Sequence, residues 1–482
     1  MIELAGVTFA YGTSERPVLA DIDITVEAGE FVLVCGRSGC GKSTLLKLIN
    51  GIIPGSEEGE LTGRVTVAGV EPKDVRLQEL SASVGSVFQH PRTQLFTLNT
   101  TDELLFGSSN HRIPAPEMLD RLRVNVDAFG LEPLLDRSIF ELSGGEAQKI
   151  ACASAAMLQP PIFVLDEPSA SLDATGIDEL REVLAVLKRS GATILVAEHR
   201  LHYLTELCDR VLYLEAGRLD AVLDRETFVS LDEERRSTMG LRALERVEVR
   251  QRSQPEAGPA PTTAPPGPGS LTIERLRVHR KRQLVVDVAH LELPTDQVIA
   301  LTGPNGAGKS SFAAGFSGIL RADASILAGG QALSKRERLR RTFVVMQDVN
   351  HQLFAESVLD EVTLGHDLDD EAVRAEAEAV LRSLGLEQFL DDHPYGLSGG
   401  QKQRLAIASA LLAGKRYLIF DEPTSGIDRD HMERFGRQVQ AIKDEVDLVL
   451  VITHDTEFIE TCADAVVELE RGRVVARHQL RR

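Results

Sequence analysis

Two stretches of this chain carry the pattern Gly-x-x-x-x-Gly-Lys-Ser. One spans residues 36–43, with Gly36, Gly39 and Gly41, and the other residues 303–310, with Gly303, Gly306 and Gly308. Glycines at these places let backbone N–H groups wrap phosphate oxygens, and the helix N-terminus that follows adds a favourable dipole. Lys42 and Lys309 are spaced to reach the outer phosphates. Ser43 and Ser310 are spaced to offer a hydroxyl to Mg²⁺, with Thr44 and Ser311 next in the same cradle.

Each loop is followed by the same series of residues. A glutamine in a short apolar stretch comes first (Gln89, Gln347), then Leu-Ser-Gly-Gly (from Leu142 and from Leu397). An apolar run ending in Asp-Glu-Pro follows (from Asp166 and from Asp421), and then a histidine closing the next apolar run (His199, His454). Ser143 and Ser398, Asp166 and Asp421, His199 and His454 each lie 255 residues apart. Asp166 and Asp421 suit a Mg²⁺ shell, and the adjacent Glu167 and Glu422 are placed to polarise an attacking water. A solvated strand end would explain one such acid pair, but not the same pattern twice at one offset. The same duplication favours a phosphate contact for His199 and His454. Leu-Ser-Gly-Gly leads into a helical pattern in both copies, so Ser143, Gly145 and Glu146, and Ser398, Gly400 and Gln401, form a second anion-binding helix start.

The elements that must position these residues follow from hydrophobic patterning. Apolar runs at 31–35, 162–165, 193–197, 298–302, 418–420 and 448–453 read as buried parallel strands. Alternating with helices, they predict an α/β fold with ligand at the carboxyl ends of the strands. A length of 482 residues and the internal repeat predict two tandem domains, 1–224 and 271–482. Between them lies 225–270: a charged helix-like stretch from Glu226 to about Glu248, then a Pro/Gly-rich tether.

Composition narrows the function. No apolar run reaches the roughly 18–20 residues that span a bilayer, and the N-terminus reads straight into a strand without a leader. The expectation is a cytoplasmic protein that meets a membrane only through partners. A net charge of −20 argues against an electrostatic grip on nucleic acid. Five cysteines, none in a Cys-x-x-Cys pair, give little support to zinc or iron–sulfur chemistry. Cys40 lies inside the first loop, where redox sensing would require an exposed thiol of lowered pKa.

Phosphate loop, glutamine, Leu-Ser-Gly-Gly, Asp-Glu strand and histidine together resemble the ABC ATPase family, over nearly all of the chain outside the tether. The resemblance implies two tandem P-loop NTPase domains, each with a mostly parallel core sheet, a helical subdomain carrying the signature motif and an N-terminal antiparallel β subdomain. It implies ATP and Mg²⁺ as cofactors. Two ATP molecules would be sandwiched between head-to-tail domains that pair within one chain. One site would use Lys42, Ser43, Gln89, Asp166, Glu167 and His199, facing Ser398, Gly400 and Gln401. The other would use Lys309, Ser310, Gln347, Asp421, Glu422 and His454, facing Ser143, Gly145 and Glu146. Gln89 and Gln347 would join the metal shell and the catalytic group. Both sites keep the glutamate, so both are expected to hydrolyse ATP. Tyr11 fits the adenine-stacking position of the family, whereas the matching region of the second half reads Val278-His279-Arg280. Weaker nucleotide affinity is expected there, with Arg280 or His279 over the base.

Around Gln89 the chain reads Val87-Phe88-Gln89-His90-Pro91-Arg92-Thr93-Gln94-Leu95-Phe96, and around Gln347 it reads Gln347-Asp348-Val349-Asn350-His351-Gln352-Leu353-Phe354. Both look like the glutamine-loop helix of energy-coupling factor (ECF) ATPases, which drive uptake of vitamins and of cobalt or nickel ions. Glu198-His199-Arg200-Leu201 also resembles fused members of that group. The implied partners are a transmembrane coupling subunit and a membrane-embedded substrate-binding subunit, with no nucleic acid, at the cytoplasmic face of the membrane. Arg92 and Asn350 depart from the family, standing where an acid is often found. Other ABC importers are the alternative reading. A ribosome-bound translation factor fits less well, since it would call for a long charged helical linker and an RNA-gripping surface.

Overall fold

The computed structural model describes residues 1–12, 16–249, 270–366 and 370–480. Except for Ser270, the Pro/Gly-rich tether read at 254–270 lies outside them. The chain divides into two compact units, one formed by Met1–Arg246 with Gly426–Asp430, the other by Val247–Ser425 with His431–Arg482.

In the first unit six strands form one sheet in the order Val84–Val87, Ile162–Asp166, Thr193–Ala197, Phe31–Gly36, Arg210–Glu215, Arg218–Asp224. The first five run parallel and the last is antiparallel. Phe31–Gly36 is fully buried, as its unbroken apolar run requires. It lies between strands that come later in the chain, so the loop leaving its carboxyl end opens at the point where strand order reverses. A separate antiparallel sheet pairs Ile2–Tyr11 with Leu19–Val26 and Gly59–Val67. Helices Thr100–Asn110, Ala115–Phe129 and Gly144–Ala156 make up a helical portion.

The second unit repeats this plan. Its main sheet runs Thr342–Val345, Tyr417–Asp421, Leu448–Ile452, Val298–Thr302, Ala465–Glu470, Arg473–Gln479, again with only the last strand antiparallel. Leu271–Arg280 pairs with Gln283–Val288, Leu291–Leu293 and Ala322–Ala328 in the antiparallel sheet. Helices Val358–Val362, Glu371–Ser383 and Gly399–Leu412 correspond to the helical portion of the first unit.

The charged stretch after Asp224 departs from its reading as a helix to about Glu248. Two short helices form, Arg225–Val229 capped by Asp224 and Glu233–Thr238 capped by Asp232. The second ends at Gly240, whose φ of +66° leaves the helical region. From there Met239, Leu241 and Leu244 pack into the main core of the first unit, together with Phe228. Burial of these apolar side chains, worth about 1.5–3 kcal/mol each, outweighs the helical propensity of the charged residues between them.

Candidate active site

The carboxyl ends of the parallel strands gather the first group of residues. Phe31–Gly36 delivers the glycine loop, and Gly41 N-caps helix Lys42–Ile49 with φ +101°, a conformation that admits glycine readily and other residues poorly. Gly308 caps helix Lys309–Ser317 in the same conformation. At Gly36 and Gly303 a Cβ would lie 2.1 and 1.9 Å from a carbonyl oxygen of the adjoining strand, so no side chain fits. Gly39 and Gly306 share positive φ, and the two loops therefore match at all three glycines.

Each lysine folds back on its own loop. Lys42 Nζ donates to the Gly36 and Arg37 carbonyls at 3.0 and 3.2 Å. Lys309 Nζ donates to the Gly303 and Pro304 carbonyls at 2.8 and 3.1 Å and lies 2.7 Å from His454 Nε2. Ser43 Oγ donates to Asp166 Oδ1 at 3.0 Å, and Ser310 hydrogen-bonds Asp421. Burial pushes both aspartates above the usual carboxylate range, against the pull of these hydroxyls and lysines.

Glu167 and Glu422 follow directly on the strand ends, and both sit at positive φ, +43° and +49°. Non-glycine residues hold such backbone only where the surroundings over-determine it, at a cost of about 1–3 kcal/mol. Their amides donate to the carbonyls of Ala197 and Ile452, the last residues of the neighbouring strands. Gln89 Nε2 donates to Glu167 Oε2 at 2.8 Å, and His199 Nε2 lies 3.5 Å from Glu167 Oε1. His454 Nε2 lies 3.4 Å from Glu422 Oε1. Burial, the Glu198 carboxylate and Asp166 push Glu167 up to about 8, while Lys42 pulls the other way. Gln347 is exposed, just beyond strand Thr342–Val345.

The residues available to a cation are oxygen donors: a serine hydroxyl and a half-buried, partly desolvated aspartate in each unit, with the Gln89 amide on the adjacent Glu167 in the first. Such a set fits Mg²⁺, which usually takes one or two protein oxygens and completes its shell with phosphate and water. No cluster of three or more His, Cys, Asp or Glu able to hold a metal occurs among the described residues, so a dedicated all-protein cage is not present there.

Tyr11 ends strand Ile2–Tyr11. Its ring meets Phe9 edge-on at 4.9 Å, and its hydroxyl lies 3.2 Å from Thr44 Oγ1, in the first turn of the phosphate-loop helix. In the second unit Val278 is buried, while His279 and Arg280 are exposed. Ser311 lies in the first turn of its helix.

The signature residues form a second group in each unit. Ser143 caps helix Gly144–Ala156, accepting from Glu146 N, while Glu146 Oε2 accepts from Ser143 N at 2.7 Å. Ser398 and Gln401 make the same reciprocal pair at the start of Gly399–Leu412. The halves differ in charge: Glu146 also receives Arg137 Nη1 at 2.6 Å, whereas Gln401 is neutral. Gly145 and Gly400 lie in the first turns of these helices.

Three features had no role of their own in the motif reading. Buried Glu103 accepts from Phe96 N and Thr97 N at 2.9 and 2.8 Å, and Glu361 accepts from Phe354 N and Ala355 N, both at 2.8 Å. Gln94 bridges Phe88 N and the Ser86 carbonyl, as Gln352 bridges Met346 N and the Val344 carbonyl. Glu198 is buried beside His199. The signal available in sequence was repetition, since Gln94 and Gln352, and Glu103 and Glu361, recur at matching places.

The family described as "ABC transporter" matches residues 19–170 and 286–425, more than half of the chain. This chain belongs to that family. A Treponema denticola protein named "Putative ABC transporter ATP-binding protein" is 41% identical over 98% of this chain and 96% of its own length. A Bacillus subtilis protein named "Putative HMP/thiamine import ATP-binding protein YkoD" is 31% identical over 97% of this chain and 90% of its own. Among solved structures, the archaeal ribosome recycling factor aABCE1, in complex with the ribosomal stalk protein aP1, matches with a TM-score of 0.59. That match has 20% identity and covers 99% of this chain and 90% of that one, a likeness of fold. The tandem halves are thus ABC ATPase domains that bind and hydrolyse ATP. ABC ATP-binding proteins generally work with membrane components. Among the described residues, no helix of this one is long and apolar enough to cross a membrane.

Proposed function

We propose that this ABC ATPase energises an ECF-type importer of a vitamin or transition-metal ion. The observation that carries the reading is the pair of glutamine-loop clips. In each half a buried glutamate accepts from the amides of a phenylalanine, Phe96 or Phe354, and of the residue after it, and the glutamine two residues before that phenylalanine ties the loop back to the end of the preceding strand. The phenylalanine side chains are left 73% and 75% exposed. Phe96 stacks on Phe106 at 5.6 Å, and Leu98 and Phe140 are exposed nearby, joined through the Ile139 N to Leu98 O bond. Met346, Leu364 and Tyr395 are exposed large apolar or aromatic residues of the second half. Rigidly held, solvent-facing aromatics are costly in a free protein and suit a partner surface. The likeness to a relative named for HMP/thiamine import supports the cargo class.

In this reading Lys42 and Lys309 turn from their loop carbonyls to the phosphates of ATP. Glu167 and Glu422 polarise the attacking water, and His199 and His454 contact the γ-phosphate. Ser43, Asp166 and Gln89, with Ser310, Asp421 and Gln347, would hold Mg²⁺, which neutralises charge on the phosphates. Ser143, Gly145 and Glu146, and Ser398, Gly400 and Gln401, would meet the nucleotide held by the other domain. ATP binding then draws the domains together, and hydrolysis releases them, moving a membrane subunit seated on the clips.

The test is affinity capture of the Glu167→Gln, Glu422→Gln double variant with ATP from native membranes in mild detergent. The expected result is a multi-span membrane protein together with a second, small-molecule-binding membrane protein, both lost when Phe96 and Phe354 are changed to Asp. Recovery of ribosomal subunits with no membrane protein would overturn the reading.

A further inference from the structure

Glu198 directly follows strand Thr193–Ala197 and is almost wholly buried. Both of its oxygens are engaged. Oε1 accepts from Ser169 N at 3.1 Å and from the Tyr203 hydroxyl at 2.8 Å. Oε2 accepts from His199 N at 2.7 Å and Arg200 N at 3.1 Å. The Arg200 guanidinium adds a bond to the Leu172 carbonyl at 3.0 Å. One carboxylate therefore ties the turn after Asp-Glu-Pro to the loop that carries His199.

The second unit makes the same tie with different residues. Thr424, Thr453, Asp455 and Phe458 stand 255 positions after Ser169, Glu198, Arg200 and Tyr203. Thr424 Oγ1 donates to Asp455 Oδ2 at 2.8 Å, Asp455 N donates to Thr453 Oγ1 at 3.1 Å, and Phe458 N donates to Asp455 Oδ1 at 3.2 Å. The acid has moved from just before the histidine to just after it, yet the link between the two loops persists.

We infer that Glu198 is a positioning residue for ATP hydrolysis at the first phosphate loop: by strapping the two loops it keeps His199 in register with Glu167. This rests on the reading of Glu167 and His199 as the reacting pair. Glu198 hydrogen-bonds backbone amides and a tyrosine, so its removal should change turnover and leave nucleotide binding alone.

The experiment measures steady-state ATP hydrolysis in a Glu422→Gln background, which leaves the first site to report. Glu198→Ala is expected to lower kcat on the order of 10- to 100-fold with KM for ATP within about twofold. The near-isosteric Glu198→Gln should fall between it and the parent. Tyr203→Phe, which removes one donor of four, should lower kcat by a smaller factor with KM unchanged. The quadruple variant Ser169→Thr, Glu198→Thr, Arg200→Asp, Tyr203→Phe rebuilds the strap of the second unit and should recover most of the lost kcat. Unchanged kcat in both Glu198 variants would overturn the inference. So would a rise in KM that accounts for the loss, or a quadruple variant that melts like the parent yet turns over as slowly as Glu198→Ala. Glu167→Gln in the same background separates the two readings: if it leaves turnover intact, the assignment of the reacting pair fails independently of Glu198.

Discussion

Glu167 combines three features that no motif encodes: burial, positive φ and a second carboxylate behind it. Its raised pKa has a consequence for stability. Folding favours the protonated form, so the contribution is fully present below the unfolded value of 4.5 and is lost as pH rises through about 8. Glu167→Gln removes the buried charge. It should therefore raise the melting temperature of the nucleotide- and Mg²⁺-free protein by several degrees, the gain growing from pH 5 to pH 8 and levelling off above. A gain that shrinks with rising pH would contradict this. The cysteines behave oppositely to reactive thiols. All five are buried; burial raises Cys40 despite Lys42, 3.9 Å from its sulfur, and pushes Cys208 up to about 11 and Cys152 up to about 12. The redox role considered for Cys40 required the reverse. A disulfide-exchange reagent at pH 8 should leave the native thiols largely unmodified and titrate five after denaturation. The motif residues were legible because phosphate chemistry restricts residue type so strongly. Glu198 was not, because an acid just after an apolar run acquires meaning only when its four donors are known.

The strands were legible because both faces of the parallel sheet are buried, which leaves uninterrupted apolar runs stopped by glycine or Asp-Glu. The segment after Asp224 was less so: its charge pattern suits a helix, but four apolar side chains packing on the core decide its path. The clips were hidden for another reason. Their structure comes from side chains bonding to backbone across six to eight residues, which neither helical nor strand periodicity reports. Glu103 is the test at this scale. Replacing it with Ala leaves the amides of Phe96 and Thr97 without their acceptor, and each such loss costs about 1–3 kcal/mol. Urea unfolding should show that destabilisation, and amide exchange should accelerate at Phe96 and Thr97 before the rest of the unit. Each clip is also tied to the signature region: Arg92 Nη2 donates to the Leu142 carbonyl at 2.6 Å, and Lys402 Nζ donates to Asn350 Oδ1 at 2.9 Å. Arg92 and Asn350 are the two positions where the ECF resemblance would place an acid. Each of these two residues is thus part of a link between the glutamine loop and the signature region.

At the level of the whole molecule the duplication is the decisive fact, and its imperfections are what make the halves experimentally separable. The constant offset covers the signature, acid and histidine positions, whereas the stretch that the family resemblance assigns to adenine is not duplicated. Tyr11 is held by Phe9 and by Thr44 beside the phosphate loop, while buried Val278 and exposed His279 and Arg280 occupy the matching stretch. An aromatic face against a base contributes about 0.5–1.5 kcal/mol beyond the area it buries, equivalent to roughly 2- to 13-fold in affinity. A guanidinium over the base can return part of that, but only after an exposed side chain has been ordered. Lys309→Ala should leave the first phosphate loop as the binding site and Lys42→Ala the second. Titration with a fluorescent ATP analogue should then find tighter binding in Lys309→Ala. Adding Tyr11→Ala to that variant should close most of the gap, while Arg280→Ala in the Lys42→Ala protein should widen it. Equal affinities in the two lysine variants would show that base stacking does not distinguish the halves. The charge difference between Glu146 and Gln401 is a further asymmetry, tested by exchanging those two residues and repeating the titration.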